Sequence, residues 1–433
     1  MANNLPAPLP GRVGVGGHYL RDIRAIQLER LHAGVRKLLE SNAFYKSRLH
    51  PVETWQDFER LPLTTKDEIT TDQQVHPPFG TNLTYPIETY TRVHQTSGTS
   101  GSRPLRWLDR PASWDWWLRI WADHVYPSAG VRADDRVFFA FSFGPFIGFW
   151  SAFGGAERLG AMVIPGGAMT TEQRLQTMID LKATVLCSTP TYALRLAEVA
   201  QKSGIDLAGS DIRITLHAGE PGASVPATRD LIERSFGARA FDHTGMTELG
   251  PTGVSCEAGD GVHLIETEFI FEVRDDGGAV LPIPDAGTIR GELVATNLGR
   301  WGSPLIRYRT GDRVEVTREA CSCGNPFPKM LGGILGRVDD MFTVRGVNLY
   351  PSQVEDLVRR QPSIAEFCIE VRRERGMEEV TVLCESRGAD GETAVSQLSN
   401  DLRMALGARI DCRLVAAGTL PRSELKSKHL IRR

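Results

Sequence analysis

The spacing of apolar and polar positions changes several times along the chain, and each change predicts a different kind of element. Between residues 18 and 40, apolar side chains recur at helical spacing with charges between them, which predicts an amphipathic helix. From residue 137 onward, short apolar runs alternate with helical segments. The runs are Val137–Phe143, Met162–Pro165, Thr184–Ser188 and Ile212–His217, and the helical segments lie near 148–160, 170–182, 191–203 and 224–236. Strands separated by single helices predict crossover units and a mostly parallel sheet.

Further along, the pattern shortens and becomes typical of antiparallel strands. The alternating segments, separated by Gly, Pro and Asp, are Glu268–Val273, Gly291–Thr296 and Leu305–Tyr308. After residue 338 a new unit begins, with predicted helices over 351–360 and 395–406 and predicted strands over 366–371, 379–385 and 409–415. We therefore predict an α/β fold: a large domain over residues 1–338 with mostly parallel sheets and an antiparallel subdomain at about 261–335, then a small, mobile α+β lid domain over 339–433.

Composition limits the class of protein. The chain has 433 residues, of which 41% are hydrophobic and 24% charged, as is ordinary for a globular protein with an ample core. A net charge of -3 gives no basic field for a nucleic acid and no block of like charge for a membrane surface. The first residues lack the pattern of a secretory signal, and no apolar run approaches the roughly 20 residues that span a bilayer. Seven cysteines, an odd number, favour a reducing compartment, so we expect a cytoplasmic enzyme without nucleic-acid or membrane partners.

A stretch rich in glycine and hydroxyl groups is the first candidate site. It consists of Thr96, Ser97, Gly98, Thr99, Ser100 and Gly101, and it follows an alternating segment that is typical of a strand. Such a turn exposes several backbone N–H groups together, and its hydroxyls add donors that can surround a polyphosphate. It is not a Walker A loop, because Ser102 and Arg103 follow Gly101 where that motif has Lys and then Ser or Thr. The alternative is a flexible Ser/Gly linker.

Four further stretches carry charged side chains in or beside turns. Ligands of a parallel sheet bind beyond the carboxyl ends of its strands, which points to the turns at 188–190, 218–222 and 243–248. The stretches are Thr247-Glu248, Tyr308-Arg309-Thr310-Gly311-Asp312, Gly336-Arg337-Val338-Asp339-Asp340 and Leu420-Pro421-Arg422-Ser423-Glu424-Leu425-Lys426-Ser427-Lys428. Simpler interpretations exist: Glu248 as a surface acid, Asp312 as a turn former and Lys426 as a solvated charge in a basic tail.

With these motifs in this order, the sequence resembles the acyl-adenylate-forming superfamily, and within it the short phenylacetate–CoA ligase branch. The resemblance extends over nearly the whole chain, and five ordered motifs are far more specific than any one. It implies a ligase that uses ATP and Mg²⁺: a carboxylate attacks the α-phosphorus, pyrophosphate leaves, and the acyl group of the adenylate passes to coenzyme A. Positioned cations and N–H donors supply most of the catalysis in such a reaction.

The resemblance also implies roles for single residues. Thr96 to Gly101 hold the β- and γ-phosphates, while Gly219, Glu220 and Pro221 line the adenine slot. Glu248 is the Mg²⁺ ligand, Thr247 contacts the α-phosphate, Asp312 accepts both ribose hydroxyls, Arg337 lies near the ribose or the phosphates, and Lys426 bridges the substrate carboxylate and the α-phosphate. Thr244 stands where an aromatic residue usually stacks on adenine, so stacking falls to His243 or another side chain, or is lost. Leu425 stands where a glycine usually precedes the lysine, and Lys428 is the rival of Lys426.

The second half-reaction requires a change of lobe orientation in the superfamily. By resemblance, the small domain rotates about a hinge at Asp339 and brings in the loop around Gly346, which leaves a tunnel for pantetheine. The simpler interpretation of Gly346 is an ordinary hairpin glycine. Homodimers are usual in this branch, so the resemblance implies a homodimer here.

Cys256, His263, Cys321 and Cys323 form a separate candidate metal site. Three thiols and one imidazole make a complete tetrahedral set for structural zinc, and reduced cysteines stay available for it. Cys-x-Cys is tighter than the spacing of a standard zinc finger, so unlinked cysteines in turns are the alternative. Some proteins that resemble phenylacetate–CoA ligases carry a similar set, which favours zinc.

The branch implies an aryl or arylacetic acid as the small carboxylic acid substrate. Weak support comes from aromatic side chains near a strand end, which can equally belong to the core: Phe141, Phe143, Phe146, Phe149 and Trp150. Two alternatives stay open. The acceptor can be a carrier-protein thiol or an amine in place of coenzyme A, or the chain can be a non-catalytic nucleotide- or acyl-binding protein.

Overall fold

The structure, a computed structural model, describes residues 17–96, 104–344, 347–374, 377–420 and 429–432. The α-helices are α1 (Gly17–Ser41), α2 (Ala43–Lys46), α3 (Trp55–Arg60), α4 (Lys66–Val75), α5 (Pro111–Ile120), α6 (Tyr126–Ser128), α7 (Ile147–Leu159), α8 (Thr171–Asp180), α9 (Pro190–Lys202), α10 (Pro226–Phe236), α11 (Pro351–Arg359) and α12 (Gly391–Leu406). A 3₁₀ turn covers Ile87–Thr89, and a π-helical turn, Trp121–Val125, joins α5 to α6. The strands are β1 (Arg92–Gln95), β2 (Arg106–Asp109), β3 (Arg136–Phe139), β4 (Met162–Pro165), β5 (Val185–Ser188), β6 (Ile214–His217), β7 (Arg239–Met246), β8 (Gly250–Ser255), β9 (Gly261–Leu264), β10 (Phe269–Arg274), β11 (Val280–Pro282), β12 (Thr288–Asn297), β13 (Tyr308–Thr317), β14 (Lys329–Leu331), β15 (Gly336–Arg337), β16 (Phe342–Val344), β17 (Val347–Leu349), β18 (Ile364–Glu374), β19 (Met377–Ser386), β20 (Asp411–Val415) and β21 (Leu430–Arg432).

One continuous sheet of 13 strands organises the large lobe. Its order is β11-β10-β12-β13-β14-β9-β8-β7-β6-β5-β3-β4, with β15 paired to β13. Neighbours from β4 to β7 run parallel, and neighbours from β7 to β11 run antiparallel. Strand β7 belongs to both halves, because it pairs in parallel with β6 on one edge and antiparallel with β8 on the other.

The hydrophobic pattern explains how these elements pack. Strands β5 and β6 are buried at every position, as expected where helices cover both faces of a parallel sheet. Helix α1 presents Leu31, Val35 and Leu38, all fully buried, to a cluster that includes Ile270 on β10 and Ile306 before β13. The first helix thereby covers the antiparallel half, while the crossover helices cover the parallel half.

The predicted fold class is confirmed, with two differences. The parallel and antiparallel parts share β7 within one sheet, and antiparallel pairing begins at Gly250, before the expected start of the subdomain at residue 261. The strand predicted to start at Leu305 starts at Tyr308. The reason is Arg307, which has a positive φ of 45° and whose N–H donates to the Thr296 hydroxyl at 2.8 Å instead of a ladder carbonyl.

The C-terminal lobe has its own sheet and its own core. Its strands lie in the order β20-β19-β18-β21, and α11 and α12 pack against them around a separate apolar cluster. Strands β16 and β17 form a hairpin before this sheet. The two lobes meet where the N–H of Ala227 on α10 donates to Asp356 Oδ1 on α11 at 3.2 Å. The domain boundary at 338–339 stays a prediction.

A buried charge network holds the last described strand against this lobe. His429, just before β21, lies with Nε2 at 3.3 Å from Glu366 Oε1 and Nδ1 at 3.7 Å from Glu355 Oε2. Arg359 Nε adds a contact of 3.5 Å to Glu355, and the His429 ring packs on Phe367 with 4.1 Å between centroids. Burial alone would lower the pKa of His429, but the two carboxylates raise it to about 9.

The raised pKa of His429 predicts a loss of stability in alkali. Because the folded pKa lies above the usual 6.5, this contribution is complete below pH 6.5 and disappears as the pH rises through about 9. The loss of this contribution lowers the free energy of unfolding by about 3 kcal/mol. We expect the melting temperature of the wild type to fall between pH 6.5 and 9.5 by more than that of a His429→Gln variant. Parallel pH profiles for the two proteins would contradict this.

The helices of the described ranges are too short or too polar for a bilayer. None of these helices is long and apolar enough to cross a membrane.

Candidate active site

The hairpin of β1 and β2 carries the candidate phosphate loop. Thr96 follows β1, and its N–H donates to the Leu105 carbonyl at 3.0 Å while its hydroxyl accepts the Leu105 N–H at 3.1 Å. These two bonds close the base of the loop. Ser97, Gly98, Thr99, Ser100 and Gly101 lie outside the described residues, so their contacts with phosphate stay a prediction.

The Thr247–Glu248 turn follows the end of β7. Glu248 is buried, and the carbonyl oxygens of Thr247 and Glu248 accept hydrogen bonds from Arg300 Nη1 at 2.6 and 3.0 Å. Burial is the main cause of the raised pKa of Asp312, and the negative charge of Glu248 raises it further. The two predicted carboxylates therefore lie close enough to interact, and the structure brings them together.

Asp312 and Arg337 form a pair across the sheet. They are direct partners on β13 and β15, and Arg337 Nη1 donates to Asp312 Oδ1 at 3.1 Å and to the Thr310 carbonyl at 3.0 Å. Gly311 between Thr310 and Asp312 has a φ of 75°, a conformation that favours glycine. Burial raises the pKa of the Asp312 carboxyl to about 7, and Arg337 opposes that shift. Arg337 also donates through Nε to Asp339, the predicted hinge residue, at 3.2 Å.

His243 and Thr244 lie on β7 before the turn. The Nδ1–H of His243 donates to the Gly253 carbonyl at 2.9 Å, and its ring lies 4.3 Å from the Trp121 ring. Burial lowers the pKa of His243 to about 3, so the imidazole is neutral. The carbonyl and hydroxyl of Thr244 accept from the Thr252 hydroxyl at 3.0 and 3.2 Å. Stacking of either residue on adenine stays a prediction.

The predicted adenine loop is anchored at both ends. Gly219 has a φ of 99°, and Glu220 Oε1 accepts the N–H of Thr191 near the start of α9 at 3.0 Å. After the exposed Pro221, the chain is held by Asp242, whose carboxylate accepts the N–H groups of residues 223 and 224 at 2.8 and 2.6 Å. The loop thus has a defined course from the carboxyl end of β6 to the middle of β7.

Three residues of this region escaped the reasoning from sequence. Asp242 had a usable signal, since it is a polar residue among the buried positions of β7, at the point where the parallel pairing with β6 ends. No local sequence signal marks Asp109 and Arg300, because these two partners are 191 positions apart. Lys426, its rival Lys428 and Gly346 lie outside the described residues, and their roles stay predictions.

The structure brings the four predicted metal ligands together. Cys256 Sγ lies 3.6 Å from Cys321 Sγ, and Cys323 Sγ lies 3.4 Å from His263 Nε2. All four ligand atoms lie within 4.8 Å of one another, and none of these cysteines is in a disulfide. A tetrahedral zinc with bonds of about 2.3 Å to sulfur requires separations of roughly 3.8 Å, so the set fits the ion. His263 Nδ1–H donates to the Phe327 carbonyl at 3.0 Å, which leaves Nε2 free to bind a metal.

Aromatic side chains cluster beside the phosphate hairpin. The Phe141 and Phe149 rings stack with 3.7 Å between centroids, and Phe143 lies 4.9 Å from Trp150. The chain between them approaches the hairpin directly, since the N–H of Gln95 on β1 donates to the Pro145 carbonyl at 2.8 Å. This segment therefore lies next to the candidate nucleotide site.

Comparisons with known proteins agree with this fold. Residues 346–433 match a family described as the AMP-binding enzyme C-terminal domain. A phenylacetate-coenzyme A ligase of Thermus thermophilus is 34% identical, over 84% of this chain and 81% of that protein. The crystal structure of a 2-hydroxyisobutyryl-CoA ligase in the postadenylation state superposes with a TM-score of 0.90 and 31% identity, covering 100% of this chain and 95% of that chain.

The fold and these relatives define an AMP-forming acid–CoA ligase. This chain belongs to the phenylacetate–CoA ligase-like branch of the AMP-binding superfamily.

The arrangement of the two lobes can be compared with two states of one relative. The same 2-hydroxyisobutyryl-CoA ligase in its thioesterification state gives a TM-score of only 0.72, at 31% identity and with 100% of this chain and 94% of that chain covered. Because the relative is the same protein in both structures, the difference reflects its conformation. The lobes of this chain are therefore arranged more nearly as in the postadenylation state.

Proposed function

We propose that this enzyme activates an aryl or arylacetic acid with ATP and Mg²⁺, then transfers the acyl group to coenzyme A and releases AMP and pyrophosphate. One observation carries the proposal: Asp312, which pairs with Arg337, lies close enough to Glu248 for the two carboxylates to interact. The relatives named as CoA ligases support the acceptor.

The residues can divide the first half-reaction among them. Asp312 keeps free lone pairs beside its bond to Arg337 and can accept both ribose hydroxyls. The carboxylate of Glu248 is an oxygen ligand of the kind that Mg²⁺ prefers, and the bound ion would neutralise charge on the phosphates. Thr247 orients the α-phosphate, and Lys426 supplies a cation to the attacking carboxylate and the phosphate.

The aromatic segment supports an aromatic acid. Phe143 is partly buried and Trp150 is exposed, and they lie beside the hairpin that is proposed to hold the phosphates. Residues 140–156 include no charged side chain, which disfavours a substrate with a second ionised group. A flat apolar ring attached to one carboxylate fits these two properties.

A pyrophosphate-exchange assay with a panel of acids tests the proposal. We expect exchange that depends on Mg²⁺ and on an aryl or arylacetic acid, with smaller rates for short aliphatic acids. AMP and thioester should then appear only when coenzyme A is added. If no acid in the panel stimulates pyrophosphate exchange, the chain is a non-catalytic binding protein. Exchange without thioester formation would indicate a carrier-protein thiol or an amine as the acceptor.

We further propose that Cys256, His263, Cys321 and Cys323 hold a structural zinc ion. The ligands come from the end of β8, from β9 and from the segment after β13, so the ion would tie three chain segments of the antiparallel half together. Burial lowers the pKa of His263, which keeps its imidazole in the neutral form that binds metals.

Metal analysis and one pair of variants test the zinc site. We expect about one equivalent of zinc per chain in protein purified without chelator, and its loss in Cys323→Ser. The melting temperature of that variant should fall by roughly 5–10 °C, because metal binding is coupled to folding. Cys412→Ser, a cysteine of the C-terminal lobe, is the control and should keep the metal. Less than half an equivalent of zinc in the wild type would rule the site out.

A further inference from the structure

We propose that Asp109 and Arg300 are positioning residues that hold the phosphate hairpin and the Thr247–Glu248 turn at a fixed separation. This inference rests on the proposed function, because the hairpin and the turn are the parts assigned to ATP and Mg²⁺. Neither side chain is assigned a contact with the reactants. Both act through the backbone elements that they join.

Arg300 lies at the centre of the connection and is fully buried. Its Nε and Nη2 donate to the two oxygens of Asp109 at 2.8 and 2.7 Å, while Nη1 donates to the carbonyls of Thr247 and Glu248 at 2.6 and 3.0 Å. One rigid, planar group thus addresses a carboxylate on one element and two backbone oxygens on another.

Asp109 links this group to the phosphate hairpin. It is the last residue of β2, it is fully buried, and it pairs with Arg92 of β1. Burial raises the pKa of its carboxyl, but the charges and hydrogen bonds of Arg300 and His94 together outweigh burial and the net shift is downward, so the side chain is ionised. Strands β1 and β2, which flank residues 97–103 in the sequence, are therefore tied by a charged pair to the turn.

Two tryptophans keep the guanidinium in place. The ring centres of Trp107 on β2 and Trp117 on α5 lie 5.5 and 5.3 Å from the Arg300 carbon. Full desolvation makes a charged pair costly, and apolar residues of similar volume often stabilise a fold equally well. The distinctive property of this pair is the geometry it imposes between two parts of the site.

The chain offers a matched control in Arg307. This buried arginine also makes a bidentate pair, to Glu272 at 3.0 and 2.9 Å, and donates through Nη1 to two backbone carbonyls, those of Glu59 and Leu61. Its carbonyl partners belong to the end of α3 and the residue after it, a segment that carries no proposed site residue. Arg307 therefore matches Arg300 in burial and in hydrogen bonds, but not in the elements it joins.

The test compares Arg300→Lys with Arg307→Lys. Lysine keeps the positive charge but lacks the planar guanidinium that donates several hydrogen bonds at once. Both variants should therefore lose similar amounts of thermal stability. We expect Arg300→Lys to weaken MgATP binding, measured by calorimetry, by roughly 10- to 100-fold and to lower the rate of pyrophosphate exchange. Arg307→Lys should stay within about twofold of the wild type in both measurements. Asp109→Asn, which changes least in shape, should follow Arg300→Lys in direction.

The outcomes separate the two proposals. Equal kinetic losses in both lysine variants, or normal MgATP binding by Arg300→Lys, would overturn the positioning role. If the lysine variants do not fold, normal MgATP binding by Asp109→Asn overturns it, and weakened binding supports it. The proposed function would instead be contradicted if the wild type bound no MgATP, or if no acid stimulated its pyrophosphate exchange.

Discussion

Replacing Lys426 with alanine is expected to slow adenylate formation by about 10²–10³-fold, because a cation placed where charge develops in the transition state typically contributes that much. Conversion of a preformed acyl-adenylate to the thioester should stay near the wild-type rate, since in the superfamily the lysine acts in the first step only. The measurement is pyrophosphate exchange for the first step and thioester formation from synthetic adenylate for the second.

Lys428→Ala is the matched control for this prediction. Lys428 lies two positions away in the same basic segment, so its removal changes the net charge equally. We expect it to leave both steps within a few-fold of the wild type. A large loss in Lys428→Ala, with activity retained by Lys426→Ala, would assign the role to the rival lysine. If both steps survive in both variants, neither lysine has the role.

The second large effect is expected for Asp312→Asn, which should raise the KM for ATP by about 10- to 100-fold. An amide keeps the shape but offers one acceptor oxygen in place of two, and hydrogen bonds to a charged group contribute about 1.5–3 kcal/mol each. The loss should appear mainly in the KM for ATP and less in the KM for the acid. Steady-state kinetics with each substrate varied in turn distinguishes these effects.

The control for Asp312→Asn is the exposed carboxylate of Asp276. That residue pairs with Arg313, the neighbour of Asp312 on β13, and its side chain is 77% exposed. Asp276→Asn should therefore leave the KM for ATP unchanged, because exposed ion pairs contribute little. Equal KM values for the Asp312 variant and the wild type would remove Asp312 from the ribose site.

Local patterns were sufficient to predict much of this protein. Crossover units between β3 and β7 follow from apolar runs separated by helical segments, and each predicted parallel strand is present to within a few residues. The carboxylates Glu248 and Asp312 could be singled out because each stands next to a turn at the end or inside a recognisable strand. The four metal-ligand candidates could be named from residue type alone, and they do lie together.

The remaining features depend on contacts between distant parts of the chain. Arg300 lies among uncharged residues and acquires its partner from β2, and His429 finds Glu355 and Glu366 only after the C-terminal sheet forms. The start of β13 was mispredicted because Arg307 leaves the extended conformation to reach Glu272. In each case tertiary electrostatics, which local periodicity does not encode, decides the structure.

Strand β7 is hydrogen-bonded to β6 on one edge and to β8 on the other, and this pairing affects how the enzyme is inactivated by heat. Arg239–Asp242 pairs with β6 and His243–Met246 pairs with β8, so each half of β7 can separate only together with a neighbouring strand. Slow amide exchange should therefore be concentrated in β7. Local unfolding on mild warming should begin in the β1–β2 hairpin and in the C-terminal lobe, which lie outside the large sheet. A preparation that has lost turnover after such treatment should keep its central strands intact.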